Sequence, residues 1–311
     1  MGTVSESEGS TEMQKNDVKN DALKIGELPK LHIIAIEDVV LHEDPDIERV
    51  TRLVDRLSAD GILKNPPVVA STAGNSKRIV LDGANRLTAL IKLGLPHVLV
   101  QEIDLQDRGL DIDCWHHAIE HLTREEILIH ADQTDGVKVV YGGAEQRAEQ
   151  RGEEDGEEDR EETAASDFLC RVAFADGESV VFKGSEILLE RIQQLQQFTH
   201  VYQKFAYLDR VSYTNLDDLR RNYMHFTALI SFGRFTKDDL ITLTNAEVRV
   251  PSGITRVLLP KRALRFNLQL EMLSASLSLE EKEKWLQESI REKVNDKSIR
   301  FYREPTFFFD E

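Results

Sequence analysis

The sequence predicts an α+β fold in two domains. Three observations predict it. Short apolar runs of strand length alternate with helically spaced apolar stripes over 28–140. A hairpin signal followed by longer helical stretches occupies 167–311. Between them lies a densely acidic stretch without large apolar residues. The chain has 311 residues, which at about 150 per domain suits a pair of domains.

In the first block, LHIIAIEDV (31–39) has the composition of a strand. Ile47, Val50, Leu53, Val54 and Leu57 then recur at helical spacing, and Gly61 stands where that helix should stop. VVAS (68–71) and RIVLD (78–82) follow as strands, Ala84–Leu93 as a helix closed by Gly94, and HVLVQEI (97–103) as a strand. The second block opens on a hairpin, RVAFADGESVVF (171–182), turning at Asp176-Gly177. Helical patterns cover about 185–208, 216–230 and 235–246. A strand ending near 250, a turn at Pro251-Ser252-Gly253, a strand over 264–273 and an amphipathic helix over 279–294 complete the block. The terminal IRFYREPTFFF is strand-like.

Residues 1–27 are polar and predict a disordered tail. Residues 141–166 predict a flexible acidic loop. Its core, 145–162, holds eight Glu and two Asp against three Arg. The formal charge of the whole chain is −17, which argues against nucleic acid or an anionic membrane as partner through net attraction. Two cysteines cannot build a disulfide framework. No basic-then-apolar leader opens the sequence, and no apolar run approaches the ~18 residues of a membrane span. The expectation is a cytoplasmic protein.

The sharpest local feature is IVLDGANR (79–86), where a strand ends in Asp82-Gly83 and a helix starts at once. The first turn of a helix offers unpaired N–H groups and the positive end of the dipole, so such a junction can hold an anion. Arg86 can fork onto phosphate or carboxylate oxygens, and Asp82 can cap the helix or hold Mg²⁺. A plain strand–turn–helix with a structural Asp82 fits the same spacing. Neither a G-x-x-x-x-G-K-[ST] phosphate loop nor an H-R-D or D-F-G kinase motif is present.

The order strand, helix, Pro-Val-Val strand, DGANR and helix resembles the ParB/sulfiredoxin-like fold. Sulfiredoxins carry a Cys in that turn, and this chain does not; centromere-binding ParB proteins continue into a helix-turn-helix, and this chain does not. The resemblance extends furthest to the free L-serine kinases. It runs through Leu41-His42-Glu43, the DGANR turn, VQEI (100–103), CWHH (114–117), the Asp176-Gly177 hairpin, PSGITR (251–256) and NLQL (267–270).

That resemblance implies a ParB/sulfiredoxin-like nucleotide-binding domain at 28–140 and a second, α+β domain at 167–311 that recognises substrate and closes the cleft. It implies phosphoryl transfer from ATP or ADP to free L-serine, with Mg²⁺ as cofactor. Glu43 falls at the position of the catalytic carboxylate. Asp82, Gly83, Ala84, Asn85 and Arg86 fall on the phosphate-binding turn, with Asp82 the candidate metal ligand. Trp115, His117, Thr255 and Arg256 fall near the serine pocket, with Arg256 implied to pair with the substrate carboxylate. Lys64 and Asn65 could reach a nucleotide or simply end a helix. One departure is Asn85, where the family usually has His; Asn can donate a hydrogen bond but cannot carry a proton near neutral pH.

Two other readings use the same residues. A ParB-like binding or regulatory module would keep nucleotide affinity without turnover. His117-x-x-Glu120-His121 matches an inverted zinc-protease pattern, which on a helix would put both imidazoles on one face.

Overall fold

The computed structural model describes residues 28–71, 77–141 and 166–302. The expected tail at 1–27 and the acidic core at 145–162 lie outside them. The described chain forms a main unit, Pro29–Ser289, while Ile290 and the residues after it belong to a separate one.

The strands in chain order are β1 (Lys30–Ala35), β2 (Val39–Leu41), β3 (Ile62–Leu63), β4 (Val68–Ser71), β5 (Arg78–Asp82), β6 (His97–Asp104), β7 (Asp111–Cys114), β8 (His116–Glu120), β9 (Lys138–Tyr141), β10 (Phe168–Phe174), β11 (Ser179–Lys183), β12 (Tyr207–Val211), β13 (Phe226–Phe232), β14 (Thr255–Leu258) and β15 (Leu268–Gln269). The helices are α1 (Ile47–Asp60), α2 (Ala84–Lys92), α3 (Arg124–Asp132), α4 (Leu188–Phe205), α5 (Leu216–Asn222), α6 (Lys237–Asn245), α7 (Leu270–Ser274) and α8 (Leu279–Asn295).

One sheet runs β1-β6-β4-β5-β2 and mixes parallel with antiparallel pairs. Val68, Ala70, Ile79, Leu81 and Leu105 bury its inner surface. The other runs β12-β8-β13-β10-β11-β9 and is antiparallel throughout. Its largest core joins Ile119, Cys170, Val172, Phe182, Phe198 and Tyr202. This second sheet takes β8 and β9 from before residue 142 and its other strands from after 165. Two small two-stranded antiparallel sheets, β14 with β7 and β15 with β3, carry later segments back onto earlier ones.

The structure corrects several element expectations. Residues 216–230 are not one helix: α5 stops at Asn222, and FTALISF becomes β13, paired on both sides. Pairing with β8 and β10 buries all but Thr227 and Ser231 of that run, and this outweighs its helix-like spacing. Residues 264–273 hold a two-residue strand and then α7, because Arg265 and Asn267 take positive φ values and interrupt extension. Near 250, Val250 makes a single bridge to Glu43 rather than ending a strand. Ile47 lies outside the buried stripe of α1, 61% exposed. Residues 116–120 are a strand. Phe301 and Tyr302 are irregular, and the rest of the expected terminal strand lies outside the described residues.

α1 begins where Asp46 accepts from the Arg49 N–H at 3.0 Å and ends at Gly61, φ +64°. α8 is tied to β1 by Glu283, which accepts from His32 Nδ1 at 3.0 Å and from the Ile33 N–H at 2.9 Å. The Glu283 hydrogen bond raises the His32 pKa above its ordinary 6.5, against an opposing effect of burial. Burial pushes Glu283 up, but the bonds from His32, Ile33 and Gln287 outweigh it and hold the carboxyl below 4.5. The His32 contribution is therefore full below 6.5 and fades as pH rises through its folded value, while that of Glu283 fades as pH falls through its own. Glu283→Gln should lower the urea midpoint most at about pH 5.5 and least at about pH 9. An equal gap at both would contradict the pairing.

Candidate active site

The strand–helix junction at 82–86 forms as its sequence suggests. Gly83 caps α2 with φ +97°, a conformation that L side chains avoid. A Cβ there would also press on the Pro67 backbone at 3.1 Å. No side chain caps α2, so its first-turn N–H groups remain available to an anion. Asp82 Oδ2 receives Arg86 Nη2 at 2.5 Å and Arg262 Nη2 at 2.6 Å. Arg86 Nη1 donates as well to the carbonyls of Asn65 (2.9 Å) and Pro66 (3.2 Å). Arg86 is thus a strut of the turn as well as a cation beside it.

Arg262 was not legible in the sequence, since 180 residues of chain separate it from Asp82. Buried Gln101 sets it in place: its amide donates to the Lys261 carbonyl and accepts from the Ala263 N–H, both at 2.8 Å. Lys64 pairs with Asp60 at 3.4 Å, and Asn65 accepts from the Arg265 N–H at 2.8 Å. The segment after β14 therefore packs on the turn side of the first sheet.

Glu43 lies on the link between β2 and α1, fastened at three places. His42 is 2% exposed and donates from Nδ1 to the Val80 carbonyl, two residues before Asp82. The Asp46 N–H donates to Asn85 Oδ1 at 2.8 Å, which leaves the Asn85 amide nitrogen to donate elsewhere. Backbone bonds of 2.8 Å join Asp44 N–H to the Val250 carbonyl and Val250 N–H to the His42 carbonyl. The link thereby touches both the DGANR turn and the Pro251-Ser252-Gly253 loop. Glu43 itself accepts from the Gly253 N–H at 2.7 Å and from the Thr255 hydroxyl. His42 Nε2 meets the same hydroxyl at 2.8 Å.

The loop is held from below by His117. This residue is fully buried. Nε2 donates to the Gly253 carbonyl at 3.0 Å, and Nδ1 accepts from the Tyr202 hydroxyl at 2.6 Å. Burial pushes His117 down to about 3, so the ring is neutral across the working range. Thr255 is likewise buried, its hydroxyl committed to Glu43 and His42. Trp115, half-buried, donates its backbone N–H to the Ile254 carbonyl at 2.8 Å, and its ring lies under Arg256, 4.9 Å from guanidinium carbon to ring centre. Arg256 also pairs with Asp113 at 3.3 Å.

The zinc-like pattern does not assemble. The two histidines do not share a helix face: His117, on β8, points into the core, while His121, just past β8 at φ +61°, lies against His225. Among the described residues no group of three or more His, Cys, Asp or Glu side chains is placed to hold a metal ion. Nor is any described helix long and apolar enough to cross a membrane.

No protein-family model matches the chain. Among curated proteins, the ATP-dependent L-serine kinase of Staphylothermus marinus is 28% identical over 87 residues, covering 28% of this chain and 34% of that protein. The ATP-dependent L-serine kinase SbnI of Staphylococcus aureus is 27% identical over 89 residues, 29% and 34% of the respective chains. The chain thus spans about a third of the length of the curated relatives it matches. The solved structures match far more of it. SbnI with a C-terminal truncation superposes with a TM-score of 0.65 at 18% identity, covering 85% of this chain and 96% of that one. The chain has the fold of the serine kinases. A free serine kinase in complex with AMP gives a TM-score of 0.64 at 15% identity over 79% of this chain and 94% of its own.

The support beneath the loop is testable without any substrate. Tyr202→Phe removes the donor to a buried imidazole nitrogen and should cost about 1–3 kcal/mol, read from urea unfolding. A variant as stable as the parent would contradict the buried Tyr202–His117–Gly253 chain.

Proposed function

We propose that the protein transfers a phosphoryl group from ATP or ADP to the hydroxyl of free L-serine, giving O-phospho-L-serine. One observation carries the reading: the Glu43 link is bonded on one side to the DGANR turn and on the other to the 250–255 segment. A proton acceptor and an anion-holding helix start are thereby joined through a single short stretch of chain. Phosphoryl transfer asks for this combination, because it depends on positioning and charge stabilisation more than on covalent help from the protein. The shared fold and the two curated relatives support the same assignment.

In this mechanism the first-turn N–H groups of α2, Asn85, Arg86 and Arg262 hold the phosphate chain. Glu43 takes the hydroxyl proton as the serine oxygen bonds to phosphorus. The bond from that phosphorus to the bridging oxygen breaks, and the nucleotide leaves one phosphate shorter. The Gly253 N–H keeps the carboxylate aimed while it waits. Asp82 is the residue that would hold Mg²⁺: Arg86 and Arg262 take its Oδ2, which leaves Oδ1 for an ion whose other ligands are phosphate oxygens and water. When bound, that ion would neutralise charge on the phosphate oxygens.

Phosphorus NMR of the purified protein with L-serine and Mg²⁺, with ATP in one tube and ADP in another, tests the reading and identifies the donor. A phosphoserine signal should appear, and Glu43→Gln should slow it by about 10²–10⁴. Folded protein that binds nucleotide but yields no phosphoserine from either donor would overturn the kinase assignment in favour of a binding module.

A further inference from the structure

Carboxylate recognition was expected of Arg256, but that residue already has its own partners. Arg256 is stacked on Trp115 and paired with Asp113, and Arg86 and Arg262 both close on Asp82. Arg210, on β12, is differently placed. It stands opposite His117 in the strand register, and its guanidinium lies over the α-carbon of Gly253. A Cβ built on Gly253 would fall 2.0 Å from the guanidinium carbon. Gly253 thus serves twice: its φ of +82° turns the loop, and its missing side chain seats the arginine.

Among the described residues the guanidinium makes one long hydrogen bond, Nη2 to Ser252 Oγ at 3.4 Å. It is half-buried, and burial pushes it below its ordinary value, with Arg49 adding to that push and Glu43 and Asp46 opposing it. A partly desolvated cation without a close carboxylate is costly unless a ligand supplies one. Glu43 acts on it through charge alone: among the described residues no hydrogen bond or ion pair joins the two, and the carboxylate is aimed at the Gly253 N–H and the Thr255 hydroxyl.

We propose that Arg210 is the seat of the substrate's α-carboxylate and the residue that restricts the enzyme to free amino acids. This rests on the serine-kinase reading and deepens it. Gly253 holds the base by its N–H and the guanidinium over its α-carbon, so the two lie one residue apart. The hydroxyl and carboxylate of one serine are likewise separated only by its Cβ and Cα. A forked guanidinium suits a planar carboxylate, and a peptide-bound or amidated serine offers it no charge.

The test compares L-serine with L-serinamide in the parent protein, Arg210→Gln and Arg210→Lys. The parent should favour serine in kcat/KM. Arg210→Gln should raise the KM for serine about 10- to 100-fold, leave serinamide turnover unchanged, and so erase the discrimination. Arg210→Lys, which keeps the charge but loses the fork, should fall between. ADP affinity by calorimetry and the circular dichroism spectrum should match the parent in both variants. Equal losses for serine and serinamide, or an unchanged KM for serine, would overturn the proposal. Calorimetric binding of serine and serinamide to the ADP-loaded protein reads the same contact without turnover. Serine binding lost in Arg210→Gln supports the seat even if no phosphoserine forms, and serine bound equally by parent and variant overturns it.

Discussion

The Glu43 carboxylate is the joint on which the site depends. Its two oxygens reach across some 210 residues of chain to the Gly253 N–H and the Thr255 hydroxyl. A carboxylate that accepts two such bonds fixes the loop that donates them as firmly as the loop fixes the carboxylate. The parallel bridge between Glu43 and Val250 sets the backbone of both segments beforehand, so the side-chain bonds need little further ordering.

From that joint the support spreads in two directions. Toward the first sheet, His42 and Asp46 clip the link to the end of β5 and to the first turn of α2. Toward the second sheet, neutral His117 carries the Gly253 carbonyl and is itself satisfied by Tyr202. Each of these groups is buried or half-buried, and each has its partner, as interiors require of polar atoms. The site is thus a set of polar bonds on two apolar cores, and loop 251–253 belongs to both. Arg262, bracketed onto Asp82 by Gln101, brings the later chain to the phosphate side in the same way.

What was legible in the sequence is what local chemistry determines. Asp82-Gly83 marked a strand–helix junction because only glycine tolerates that left-handed conformation against the Pro67 backbone. Asp176-Gly177 marked the β10–β11 hairpin, and the stops of α1 and α2 fell near Gly61 and Gly94. Glu43 carried no local mark; only its match to a family motif lifted it from the other acids of the chain. The segments misread were those whose state is set by distant pairing. Residues 226–232 have helix-compatible spacing, but β8 and β10 claim them as a strand. His117 and His121 looked like a zinc pair because a one-dimensional motif cannot show that the His117 ring faces Tyr202 and the core while His121 lies against His225. Arg210 and Arg262 gave no signal, since their meaning comes from Gly253 and Asp82, far away in sequence.

The most direct measurement is a crystal structure of the protein with L-serine and a non-transferable ATP or ADP analogue. The account predicts phosphate oxygens at the start of α2 and the serine hydroxyl within hydrogen-bond reach of Glu43. Phosphates bound away from residues 82–86, or a serine hydroxyl directed away from Glu43, would contradict it.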